Sequence, residues 1–128
     1  MKIIFIVDDD AAHRRVWERV LKRAGYGVVT ASDGAKALHV LSQTSVDLML
    51  LDVVMPDKDG FETLMALRAS NSQIPVIAMS GSGGPQNNHT LLRQCRLLGA
   101  TAILTKPFSE PVLIETITGA LDQASAAR

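Results

Sequence analysis

Four short, largely apolar runs, each closed by a polar or charged residue, constrain this chain more than any other feature. They are KIIFIV before Asp8, VDLMLL before Asp52, IPVIAM before Ser80 and TAIL before Thr105-Lys106. Continuous apolar runs of this length, rich in β-branched residues, predict strands buried on both faces rather than strands with one wet face. A fifth strand is expected over 26–31 (YGVVTA), so the strand segments are 2–7, 26–31, 46–51, 74–79 and 100–104. The Pro75 near the start of the fourth is tolerable there.

Between the runs the period changes to that of a helix. Val16, Trp17, Val20, Leu21 and Ala24 draw one stripe, stopped by Gly25. Ser32 or Asp33 caps a helix carrying Ala37, Leu38 and Leu41, and Phe61, Leu64, Met65 and Leu67 mark a third. Leu91, Leu92, Cys95 and Leu98 mark a fourth, ended by Gly99, and Ser109 caps a fifth built on Leu113, Ile114, Ile117 and Leu121. Five strands alternating with five helices require a parallel sheet covered on both faces. With right-handed crossovers, the expected fold is α/β: a flavodoxin-like (βα)5 three-layer sandwich with strand order 2-1-3-4-5. One domain is expected over 1–123, with a short tail at 124–128 that resembles a frayed helix end and no second domain after it.

Several function classes are disfavoured by composition. Thirteen basic and thirteen acidic residues give zero formal net charge, which argues against direct binding of nucleic acid by a broad basic surface. No apolar run approaches the ~20 residues of a membrane span, and no secretory signal is recognisable at the start. The single cysteine, Cys95, cannot form an internal disulfide, so a reducing cytoplasm is the expected location.

Ligands of such sheets bind beyond the carboxyl ends of the strands, at the switch point between the first and third. The residues expected there are Asp8-Asp9-Asp10, Asp52, Ser80 and Thr105-Lys106-Pro107. Carboxylates about 5 Å apart repel by roughly 3 kcal/mol per pair at an effective dielectric near 20. A hard divalent cation relieves that repulsion, and a set of few oxygen ligands suits Mg²⁺. A carboxylate can also attack phosphorus to give an acyl phosphate, while a lysine and a hydroxyl hold the phosphoryl oxygens.

The segments IVDDD, LLDVVMPDKDG, IAMS and LTKPF resemble the four signature stretches of bacterial two-component receiver domains, in the right order and over nearly the whole chain. The resemblance implies that Asp52 is the phosphoacceptor and that Mg²⁺ is held by Asp9, by Asp8 through water, by Asp52 and by the backbone carbonyl of Val54. It further implies that Ser80 and Lys106 contact the phosphoryl group, that Lys106-Pro107 is cis, and that Met55-Pro56 and Gly60 shape the loop after Asp52. The donor would be a histidine kinase or a histidine phosphotransfer protein, and an unidentified downstream protein would be the target, with no direct nucleic acid or membrane partner. No enzymatic activity is expected beyond self-catalysed transfer to Asp52 and slow autodephosphorylation.

Other polar residues have plainer readings. Asp10 caps the first helix, Asp57 and Asp59 form turns, and His13, His39 and His89 are expected to be solvated. Trp17 and Cys95 are read as packing residues.

Two positions depart from the receiver pattern. Ile103 stands where an aromatic three residues before the lysine usually responds to phosphorylation. The chain from Ser80 to Gly99 is about four residues longer than usual, the excess lying in GSGGPQ (81–86). Together they place the expected response to phosphorylation in 81–90 and the fourth helix rather than on the fifth strand.

Two rivals fit less well. A flavodoxin-like electron carrier needs a Ser/Thr/Gly-rich phosphate loop after strand 1 and more aromatics. An aspartyl-nucleophile phosphatase would place its nucleophile after strand 1 and needs room for a cap domain.

Overall fold

The computed structural model describes residues 1–53, 59–70, 72–80 and 93–126. Its elements follow the expected alternation: β1 (Ile3–Val7), α1 (Ala11–Arg23), β2 (Gly27–Ala31), α2 (Gly34–Gln43), β3 (Leu48–Asp52), α3 (Asp59–Ala69), β4 (Val76–Ser80), helical residues 93–97 (α4), β5 (Ala102–Thr105) and α5 (Glu110–Ala126). All four strand pairings are parallel, and the sheet order is β2-β1-β3-β4-β5. This is the flavodoxin-like arrangement expected from the sequence.

Continuous apolar strands serve two cores at once, because successive side chains point to opposite faces. On one face Phe5, Val7, Met49, Leu51, Val76 and Ala78 pack with Ala37 of α2, Leu64 and Leu67 of α3, and Cys95 of α4. On the other, Ile4, Ile6, Leu48, Leu50, Ile77 and Met79 pack with Val20 and Leu21 of α1 and with Leu113, Ile117 and Ala120 of α5. Each such leucine or isoleucine contributes about 1.5–3 kcal/mol by leaving water, so the strands are held on both faces.

Local signals work as chemistry requires. Asp10 caps α1 by accepting from the N–H groups of Ala12 and His13, Asp33 caps α2 through Lys36 N–H, and Val112 N–H donates to Ser109 Oγ at the start of α5. Gly25 and Gly99 end their helices at φ of +98° and +86°, a left-handed conformation that side chains disfavour.

Three details differ from the sequence reading. Every strand starts one or two residues later than its apolar run, and β3, β4 and β5 each extend one residue further. Ladder pairing involves the backbone and is indifferent to side-chain polarity, so Asp52 and Ser80 are final strand residues, paired with Met79 and Thr105. At the other end Pro75 has no N–H for the ladder, although its carbonyl accepts from Met49 N–H. Val16 and Met65 lie half-exposed, because a helix on a sheet buries only a stripe and these positions fall on its flank. Finally, α5 continues to Ala126, so residues 124–126 are helical.

Candidate functional site

The carboxyl edge of the sheet gathers the polar residues that end β1, β3, β4 and β5. Val7 of β1 lies beside Leu51 of β3, which places Asp8 next to Asp52. Asp8 N–H donates to Ala31 O at 3.2 Å, continuing the β1–β2 ladder by one residue. Lys106 N–H donates to Ser80 O at 2.8 Å and does the same between β4 and β5. The backbone ladder itself therefore fixes the positions from which these side chains project.

Asp8 is fully buried and Asp52 nearly so, while Asp9 is exposed. One carboxylate oxygen from each of the three lies within 4.8 Å of the others. Buried carboxylates persist only with partners. Asp8 has several: Lys106 Nζ at 2.8 Å on Oδ2 and Asp10 N–H at 2.9 Å on Oδ1. Lys106 Nζ also reaches Asp52 Oδ2 at 3.3 Å. Burial pulls the Lys106 pKa down, but the hydrogen bond to Asp8 and the charges of Asp52 and Asp8 outweigh it and hold the ammonium above the ordinary lysine value.

Three carboxylates and one ammonium leave an excess of two negative charges at this cluster. An all-oxygen donor set with that excess fits a hard divalent cation, and Asp8, Asp9 and Asp52 can hold it. Ser80 is also fully buried, and its Oγ has no hydrogen-bond partner among the described residues. A buried hydroxyl left unsatisfied costs about 1–3 kcal/mol, so an incoming oxygen that accepts from it is favoured.

Gly60 explains how α3 can begin so close to Asp52. A Cβ there would collide with the Asp52 carbonyl oxygen and stand 2.6 Å from Val53 Cα. Only glycine permits this approach of helix to strand end. The Lys106-Pro107 peptide is cis. Beyond it Phe108 stacks on Trp17 of α1, with ring centroids 4.8 Å apart.

The sequence-derived site residues Asp8, Asp9, Asp52, Ser80 and Lys106 thus converge on one edge. The Val54 carbonyl, Met55-Pro56, Asp57, His89 and the 81–90 segment lie outside the described residues. His13 is helical and exposed, as expected, but its contacts in the site were not foreseen. Its ring is 47% exposed, yet Nδ1 lies 3.3 Å from Lys106 Nζ and 3.5 Å from Asp8 Oδ2. Arg14 was not singled out either, and its Nη1 donates to the Asp8 carbonyl at 2.6 Å. Both lie in the first turn of a helix that starts at the carboxyl edge. A signal was present in that position: polar residues in the first turn after the β1 aspartates come within reach of Asp8.

This arrangement matches a known class along almost the whole chain. The family model "Response regulator receiver domain" matches residues 4–118. The chain belongs to the response regulator receiver domain family. It is 39% identical over 121 residues to the transcriptional regulatory protein CpxR of Escherichia coli, covering 94% of this chain and 50% of that protein. It is 36% identical over 124 residues to the transcriptional regulatory protein FixJ of Bradyrhizobium diazoefficiens, covering 97% of this chain and 58% of FixJ. The chain spans about half the length of the curated relatives it matches. Among solved structures, a CheY-like receiver domain protein from Methanospirillum hungatei superposes with a TM-score of 0.87 at 27% identity, covering 100% of this chain and 99% of that one. Full-length FixJ from B. japonicum gives 0.87 at 34% identity, over 98% of this chain and 60% of that one. Among the described residues, no helix is long and apolar enough to cross a membrane.

Proposed function

We propose that this chain is a phosphorylation-dependent signalling receiver in which Asp52 accepts a phosphoryl group with Mg²⁺ bound beside it. The observation that carries this reading is the placement of Asp52 at the mouth of the carboxyl edge, against Asp8, Asp9 and Lys106, with the Ser80 hydroxyl, unpartnered among the described residues, at the next strand end. The donor is a phosphohistidine of a histidine kinase or histidine phosphotransfer protein. An Asp52 oxygen attacks phosphorus, the P–N bond breaks, and its electron pair leaves with the imidazole, which takes up a proton. Asp9, Asp52 and the Val54 carbonyl, with Asp8 through water, would hold Mg²⁺, whose charge would offset that of the phosphoryl oxygens. Lys106 shifts from the carboxylates onto those oxygens, and the Ser80 hydroxyl donates to another. The chemistry is confined to self-catalysed uptake on Asp52 and slow hydrolysis. The signal then passes through the β4–α4 region to a downstream protein.

The test is phosphoryl labelling by acetyl phosphate or a histidine kinase. Wild-type protein is expected to take up label with Mg²⁺, and Asp52→Asn, which keeps the shape without the nucleophilic carboxylate, is expected to take up none. Acid-resistant label surviving in Asp52→Asn would show the assignment to be wrong.

A further inference from the structure

The Lys106 ammonium has three hydrogens to give. Asp8 Oδ2 at 2.8 Å and Asp52 Oδ2 at 3.3 Å account for two of them. The third acceptor among the described residues is neither a carboxylate nor a backbone carbonyl but the His13 ring, with Nδ1 at 3.3 Å. We infer that His13 is a positioning residue for phosphoryl transfer, whose unprotonated Nδ1 holds the Lys106 ammonium at the mouth of the site between Asp8 and Asp52. This rests on the reading of Lys106 as a phosphoryl-binding residue.

The geometry sets the ring's orientation. A lysine ammonium only donates, so the nitrogen facing it must accept, and the ring hydrogen belongs on Nε2. Nε2 points toward Asp10 Oδ2 at 3.7 Å, a favourable direction for an N–H. The competing arrangement has Nδ1–H donating to Asp8 Oδ2 at 3.5 Å. It is longer, and that oxygen already receives Lys106 at 2.8 Å. Asp10 ties the ring to the backbone as well, since its carboxylate caps α1 by accepting from the His13 N–H. A path of contacts therefore runs from the α1 cap through His13 to the ammonium beside Asp52.

The role follows from what Lys106 must do. A four-carbon side chain has many rotamers, and its head must stay near the place where the phosphoryl oxygens arrive. Two carboxylates deeper in the site would draw the ammonium inward. The His13 acceptor, on the solvent side, opposes that pull with a neutral ligand that Lys106 can leave without stranding a charge.

The substitutions His13→Leu and His13→Asn test this. Leucine fills the space without an acceptor, whereas asparagine places a carbonyl oxygen near the position of Nδ1. His13→Leu is expected to lower the maximal rate of labelling by acetyl phosphate about fivefold, the size of one modest hydrogen bond. His13→Asn is expected to restore most of it, with Mg²⁺ affinity and melting temperature little changed in both. Equal rates for wild type and His13→Leu, or a loss that asparagine does not restore, would overturn the inference.

A second readout does not depend on phosphorylation. In protein labelled with ¹⁵N-histidine, Nδ1 of His13 is expected to be the unprotonated nitrogen, and its shift is expected to move in Lys106→Met. A hydrogen on Nδ1, or a shift indifferent to Lys106→Met, would overturn the inference. Wild-type protein that takes up no label would instead defeat the proposed function, leaving the spectroscopic result to stand alone.

Discussion

Lys106 at the carboxyl edge of the sheet and Arg68 at its amino edge are both partly buried cations, and they are held differently. At the carboxyl edge Lys106 is bound by side chains: Asp8, Asp52 and His13. At the amino edge Arg68 of α3 is bound by backbone. Its Nε donates to Leu98 O at 2.8 Å, Nη1 to Ser72 O and Ile74 O, and Nη2 to Gly99 O, each at 3.0 Å. Burial alone lowers the Arg68 pKa, whereas at Lys106 the carboxylates reverse the effect of burial. Side-chain acceptors can rotate, exchange partners or take a metal, so an ammonium among them can be handed to a ligand. Carbonyls at helix ends and strand starts cannot move without unfolding those elements, so a guanidinium among them is a fixed staple. One end is built to change partners and the other to keep them.

The largest effect expected from breaking this contrast is at the amino edge. Arg68→Ala removes donors from four carbonyls and is expected to cost about 2–3 kcal/mol of stability in urea unfolding. Arg68→Lys is expected to recover little, because an ammonium cannot reproduce the planar fork. Labelling of Asp52 should persist in both under native conditions. A loss below about 0.5 kcal/mol in Arg68→Ala would mean that the staple is ornamental.

At the carboxyl edge the sign reverses. Removing the exposed Asp9 carboxylate relieves repulsion, so Asp9→Ala without metal is expected to be as stable as wild type or up to about 1 kcal/mol more so. Its Mg²⁺ affinity and its labelling rate are expected to fall. Titration calorimetry showing unchanged Mg²⁺ affinity would reduce the acidic cluster to a helix start.

The smallest expected effect sharpens the contrast without any mutation. With a beryllofluoride phosphate mimic, changes in hydrogen exchange are expected to concentrate in 81–98 and to be small around Ile103. The amides of Met49, Ser72 and Thr101, bonded at the amino edge to Pro75 O, Leu67 O and Val76 O, are expected to stay unchanged. A response centred on β5 and α5 would contradict the route through β4 and α4.

Most of the architecture was legible along the chain, because burial on both faces, helical period, caps and glycine stops are local properties. The five runs, Asp10, Asp33, Gly25 and Gly99 each state their role within a few residues of themselves. Strand ends were less legible: Asp52 and Ser80 read as residues after strands, since hydropathy reports side chains while pairing belongs to the backbone. The expected burial of Val16 failed for a related reason. Periodicity gives the direction of a stripe, and only the surface it meets gives the width.

What the sequence alone determined is therefore the order of elements, the class of sheet and the convergence of Asp8, Asp9, Asp52, Ser80 and Lys106 on one edge. Only the tertiary structure decided the partners of the long side chains. Lys106 meets His13 across 93 residues, and Arg68 meets Leu98 O across 30. Lysine and arginine carry several rotatable bonds, so their own neighbourhood in sequence does not say where the head group comes to rest. The acceptors that settle it are brought within reach only when the sheet has closed.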